Sequence, residues 1–125
     1  MAAASAGRLA EIVSSVAGRR GLRVEQRGDG VIVLRSGDLP LYIEVRESSR
    51  GVLVRLGHES LRDYVREVLD SEENPREVIE EAVDEMSMVA FEVAEALRRA
   101  GLKVELDTRT AAMDVLDELE EAEEE

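Results

Sequence analysis

The sequence predicts an α+β domain: a helix, a four-stranded antiparallel β-meander, two helices, a fifth strand and a C-terminal helix. Three observations carry that reading. Apolar residues recur at helical spacing in four stretches. Four short, apolar-rich stretches lie between residues 22 and 56, separated only by turn-forming residues. A further alternating stretch stands alone between the last two helical ones. The turns between the first four strands are too short for parallel crossovers, so those strands must pair antiparallel.

The first helix is expected to start at a Ser5 cap. Leu9, Ile12, Val13, Val16 and Ala17 form its stripe, and Gly18 to Gly21 ends it. Leu22 to Arg27 then alternates, with Leu22 and Val24 on one face and Arg23, Glu25 and Arg27 on the other. Gly28-Asp29-Gly30 is a hairpin turn, because Asp-Gly accepts positive φ. Val31 to Arg35 is apolar on both faces. Ser36 to Pro40 turns the chain, and Leu41 to Arg46 alternates again. Ser48 to Gly51 makes the next turn, before a strand over Val52 to Leu56.

Gly57 ends the meander. Ser60 with Asp63 has the spacing of a capping box ahead of a stripe of Leu61, Tyr64, Val65, Val68 and Leu69. The longest helix follows, from Asn74 to Gly101. Asn74 is placed to cap it, Pro75 fits its first position and Glu77 completes an Asn-x-x-Glu box. Gly101, just after Arg98 and Arg99, suits its left-handed end. Its main stripe runs from Val78 through Val83 and Val93 to Leu97. Leu102, Val104 and Leu106 alternate with Lys103, Glu105 and Asp107 as the fifth strand. Ala112, Met113, Leu116 and Leu119 are expected to face inward on the last helix. Residues 1–119 form one domain in this reading. Residues 120–125 form an acidic, disordered tail, since seven acids in the last nine residues repel one another.

Composition narrows the function. The chain has 125 residues and no Cys, which removes disulfides, thiolate metal sites and cysteine nucleophiles. The Ala-rich start lacks the apolar core of a signal peptide, and a cytoplasmic protein is expected. Charged residues make up 36%, while Gln26 and Asn74 are the only side-chain amides, a thermophile-like balance. The net charge of −13 is split unevenly. Residues 1–57 carry nine Arg against six acids, whereas residues 58–125 carry seven basic residues against 23 acids. The total opposes nonspecific nucleic-acid binding, but a local basic face in the first half remains open.

No phosphate loop, EF-hand or Glu-x-x-His pattern is present, so no cofactor or metal is expected. His58, the single histidine, sits beside Ser60 and Asp63. Those residues are more simply caps and a junction than a triad. Two surfaces stand out instead. Met88 and Phe91 lie well off the main stripe of the long helix, and they are the candidate self-association residues. Arg23, Arg27, Tyr42, Arg46 and Arg55 share the outward face of the sheet, and they are the candidate ligand face.

The order of elements resembles that of type III secretion chaperones, which pair a twisted sheet with flanking helices and often dimerise. The expected function is a non-enzymatic protein-interaction module, an adaptor or chaperone-like binder acting as a homodimer. An RNA- or nucleotide-binding domain using the Arg/Tyr sheet face is the alternative. No membrane role is expected.

Overall fold

A computed structural model describes residues 2–124, with side chains from Gly7 onward. The order of elements is α1 (Ala2–Arg20), β1 (Arg23–Arg27), β2 (Val31–Arg35), β3 (Leu41–Ser48), β4 (Gly51–His58), α2 (Leu61–Ser71), α3 (Pro75–Arg99), β5 (Val104–Asp107) and α4 (Arg109–Glu124). The fold is α+β, as the sequence predicts. The sheet follows chain order from β1 to β5. Its first four strands pair antiparallel, and β5 pairs parallel to β4.

Tight turns set the meander. Asp29 and Gly30 both take positive φ, and Arg27 pairs with Val31 across them. Ser48 pairs with Gly51 across the next short turn. Gly51 has φ +140°, and a Cβ there would lie 3.1 Å from the carbonyl carbon of Lys103. Glycine is required at that point because the chain entering β5 runs directly over it. The Val52 amide then donates to the Lys103 carbonyl at 2.8 Å and starts the parallel pairing.

The two helix–Gly–strand junctions share one geometry. After α1, the Leu22 amide donates to Ala17 and that of Gly21 to Gly18. After α3, Leu102 donates to Leu97 and Gly101 to Arg98. Both glycines have positive φ, so each junction is a Schellman cap. The repeated Gly-Leu-basic-Val-Glu sequence therefore encodes the same exit from a helix into an edge strand.

The N-terminal caps depart from expectation. Asn74 and Ser60 occupy cap positions, but neither side chain makes a capping hydrogen bond. Ser60 is held in the left-handed region at φ 53°, where the chain turns from β4 into α2. The helix α1 begins before Ser5, whose side chain lies outside the described residues.

One buried cluster joins the inward face of the sheet to all four helices. Leu34, Ile43, Val45 and Val54 meet Val13, Val65, Ile79, Val93 and Leu97 there. Val31 and Val33 are also buried, yet they lie outside this cluster. They belong to the opposite face, which none of the described helices covers.

The last helix is rotated from its expected setting. Ala111, Val115 and Leu119 are the buried residues of α4, while Met113 and Leu116 are exposed. A stripe through residues 112, 113, 116 and 119 and one through 111, 115 and 119 both fit helical spacing. Packing beneath α4 selects the second. Val83, expected in the core stripe of α3, is only half-buried and lines a groove against α4. The acidic end is helical through Glu124. Glu123 accepts from Arg76 at 3.0 Å, and Arg62 lies 3.8 Å from Glu121. Cations from α2 and α3 thus offset the like charges of that end.

Candidate functional site

The strand register places all five candidate ligand-face residues on the open side of the sheet. Arg23 and Arg27 face Arg35 and Val31 across β1–β2, and Val31 faces Arg46 across β2–β3. Tyr42 is opposite Gly57, Glu44 opposite Arg55, and Arg46 opposite Leu53. Alternation on each strand puts these residues on one face.

The five do not form one cluster. Arg27, Tyr42, Arg46 and Arg55 line a concavity of about 270 Å³, together with Asp29, Val31, Val33 and Glu44. Arg23 lines the neighbouring concavity of about 430 Å³ with Glu25, Arg35 and Glu59. Arg35 and Glu44 organise these two groups; alternation already interleaves Glu25 and Glu44 with these arginines on one face, whereas Arg35 did not stand out in the sequence. Period-two alternation through Val31, Val33 and Arg35 was the signal for Arg35.

Glu44 is buried at 5% exposure on the face no helix covers. Its Oε1 accepts from Arg46 Nη2 at 2.7 Å, and its Oε2 accepts from Arg55 Nε. Burial pushes its carboxyl pKa up, but the hydrogen bonds from Arg46 and Arg55 outweigh this and hold it below the usual glutamate range. In the second group, Arg35 Nε donates to Glu25 at 3.0 Å, and Arg35 Nη1 lies 2.7 Å from Glu59. Desolvation opposes the charge of Arg35, and these two carboxylates restore it, leaving the pKa raised.

Tyr42 lies between two neighbours. A Cβ at position 57 would meet its ring, so the ring packs directly over Gly57. The Arg35 guanidinium sits 4.9 Å from the ring centroid. A base stacking on Tyr42 would have to displace Arg35.

The second surface lies on α3 and α4. Met88 is 63% exposed and Phe91 53% exposed, so the closing helix does not cover them. Met113 and Leu116 on α4 add two more exposed apolar side chains, at 56% and 43%. Between the helices runs an apolar groove of about 200 Å³, lined by Val83, Ala112, Val115, Leu116 and Leu119 with Glu80 and Asp84 at its rim. Residues 80, 83, 84, 87, 88 and 91 fall within about 140° of the α3 circumference at 100° per residue. The groove and the Met88/Phe91 spot are therefore on the same side of α3.

His58 has a partner the sequence did not indicate. Its Nε2 lies 2.8 Å from Asp114 of α4, not beside Asp63. Ser60 lines the same concavity of about 380 Å³, while the His58 Nε2 is engaged by Asp114. Among the described residues, no group of three or more His, Asp or Glu is arranged to hold a metal ion, and no helix is long and apolar enough to cross a membrane. The chain matches no protein family, no curated protein and no solved structure at a significant level of similarity.

Proposed function

We propose that this chain is a non-enzymatic protein-interaction module, an adaptor or chaperone-like binder that works as a homodimer through α3. The observation that carries the reading is the exposure of Met88 and Phe91 in the middle of a 25-residue helix whose other side is core. Large apolar side chains left in water at one place favour burial against a partner.

The charges along α3 favour a second copy as that partner. Its exposed side is acidic in the first half, with Glu77, Glu80, Glu81 and Asp84, and basic at the end, with Arg98 and Arg99. An antiparallel pair centred between Met88 and Phe91 sets Glu80 against Arg99 and Glu81 against Arg98 of the other copy. Asp84 then meets Glu95, whose charge Arg98 already offsets at 2.9 Å. A two-fold axis makes each such pairing occur twice. Met113 and Leu116 widen the apolar centre, as an interface of ordinary size requires.

Light scattering at micromolar concentration tests this. The wild type is expected to be a dimer, and Phe91→Glu a folded monomer. Arg99→Glu is expected to weaken the dimer, and adding Glu80→Arg to restore it. A monomeric wild type refutes the reading.

A further inference from the structure

The open sheet face carries a feature independent of self-association. Glu44 sits at the centre of the sheet on the side without helices, with buried Val33 opposite it in register. Each of its oxygens is occupied by a different guanidinium. Arg46 uses Nε and Nη2 on Oε1, and Arg55 uses Nε on Oε2. Arg46 and Arg55 nevertheless remain 54% and 44% exposed in their side chains. Both Nη groups of Arg55 and Nη1 of Arg46 have no hydrogen-bond partner among the described residues. Arg27 reaches the same concavity from the first hairpin, and its ion-pair partner, Glu25, is 3.6 Å away.

A carboxylate buried this way acts as a clamp. It fixes the near side of two guanidinium groups and leaves their remaining donors for an outside acceptor. Arg presents a rigid planar fork that matches tetrahedral oxyanions, and a fork already held loses less freedom on binding. Three guanidinium groups line the concavity with two carboxylates, Glu44 and Asp29. At about 270 Å³ the space accepts a charged group rather than a whole large ligand. Tyr42, covered by Gly57 and Arg35, supplies a wall and not a stacking platform.

We infer that Arg27, Arg46 and Arg55 form a phosphate-binding cradle on the open face of the sheet, with Glu44 as the positioning residue for two of the three. The net charge of −13 directs the cradle toward a small phosphate ester rather than a nucleic-acid backbone.

Calorimetry of the full chain at low ionic strength, with inorganic pyrophosphate and with a short oligouridylate, tests the inference. Pyrophosphate is expected to bind, and Arg46→Ala and Arg55→Ala each to weaken it at least about tenfold. Glu44→Gln is the decisive variant. It removes a negative charge, so a purely Coulombic patch would bind pyrophosphate more tightly. A positioned cradle binds several-fold more weakly. Arg55→Lys keeps the charge and loses the fork, and it too must weaken binding, which covers a Glu44→Gln protein that does not fold. Tighter binding by Glu44→Gln, unchanged binding by Arg55→Lys, or no binding of either probe overturns the inference. Preference for oligouridylate, lost in the same variants, supports the cradle and assigns its phosphate to a nucleic-acid backbone.

Discussion

The ring of Tyr42 rests on Gly57, so closely that a Cβ at position 57 would lie 2.5 Å from its Cε1. The two residues are opposite each other across β3 and β4. The bare backbone of Gly57 is what lets the ring lie down on the open sheet, under the Arg35 guanidinium. Gly57→Ala is expected to push the ring outward and separate it from Arg35. The far end of a tyrosine can swing away, so the cost is moderate, about 1–3 kcal/mol in urea unfolding. An unchanged midpoint would show that the ring does not depend on the missing Cβ.

Two valines of α3 separate core from groove. Val93 is fully buried, and Val93→Asp would place an unpaired charge among apolar side chains. Loss of the cooperative unfolding transition is expected, at a cost of several kcal/mol, roughly the upper end of single substitutions. Val83 is half-buried at the α3–α4 groove, where an aspartate can reach water. Val83→Asp is expected to leave a folded protein with a lower melting temperature. Equal effects of the two would mean that the groove is closed.

The acidic end gives a prediction of definite sign. Charge repulsion alone says that removing residues 120–125 should leave stability unchanged or raise it. The contacts of Arg76 with Glu123, of Arg62 with Glu121, and of Ala122 with the core say the opposite. A measurable fall in melting temperature is expected, reproduced in part by Arg76→Ala. A rise would show that repulsion outweighs these contacts.

Glu44 makes stability depend on acid. Its folded pKa lies below its ordinary value, because the hydrogen bonds from Arg46 and Arg55 overcome the cost of burial. The native state therefore binds its proton less readily than the unfolded chain. The resulting stability is fully present above the ordinary glutamate range and is lost as pH falls through the depressed folded value. Glu25, Glu92 and Asp107 are lowered too, held by Arg35, Arg20 and the Thr110 amide respectively, so they add in the same direction. Glu44→Gln is expected to flatten the acid limb of a stability–pH curve while lowering its plateau. A curve parallel to the wild type across that limb would exclude Glu44 as a contributor.

The sequence by itself determined the order of elements, the antiparallel meander, both glycine-ended helix exits, the inward stripes of α1 and α2, and that of α3 apart from Val83. These follow from local rules: side chains repeat every 2 or 3.6 residues, and positive φ selects glycine. It also placed Arg23, Arg27, Tyr42, Arg46 and Arg55 on one sheet face, since alternation fixes that once the hairpins are known. The tertiary structure decided what depends on partners distant in the chain. The turn of α4 that exposes Met113 and Leu116 was one of two settings that spacing allowed, and only the surface beneath chose between them. Asn74 and Ser60 hold cap positions without their side-chain bonds, because backbone direction at a junction is set by the packing on either side. His58 meets Asp114 across 56 positions of sequence, and Arg35 reaches Glu59 beyond the end of β4. Such pairings carry no periodic signal, because they arise only when the strands and helices have docked.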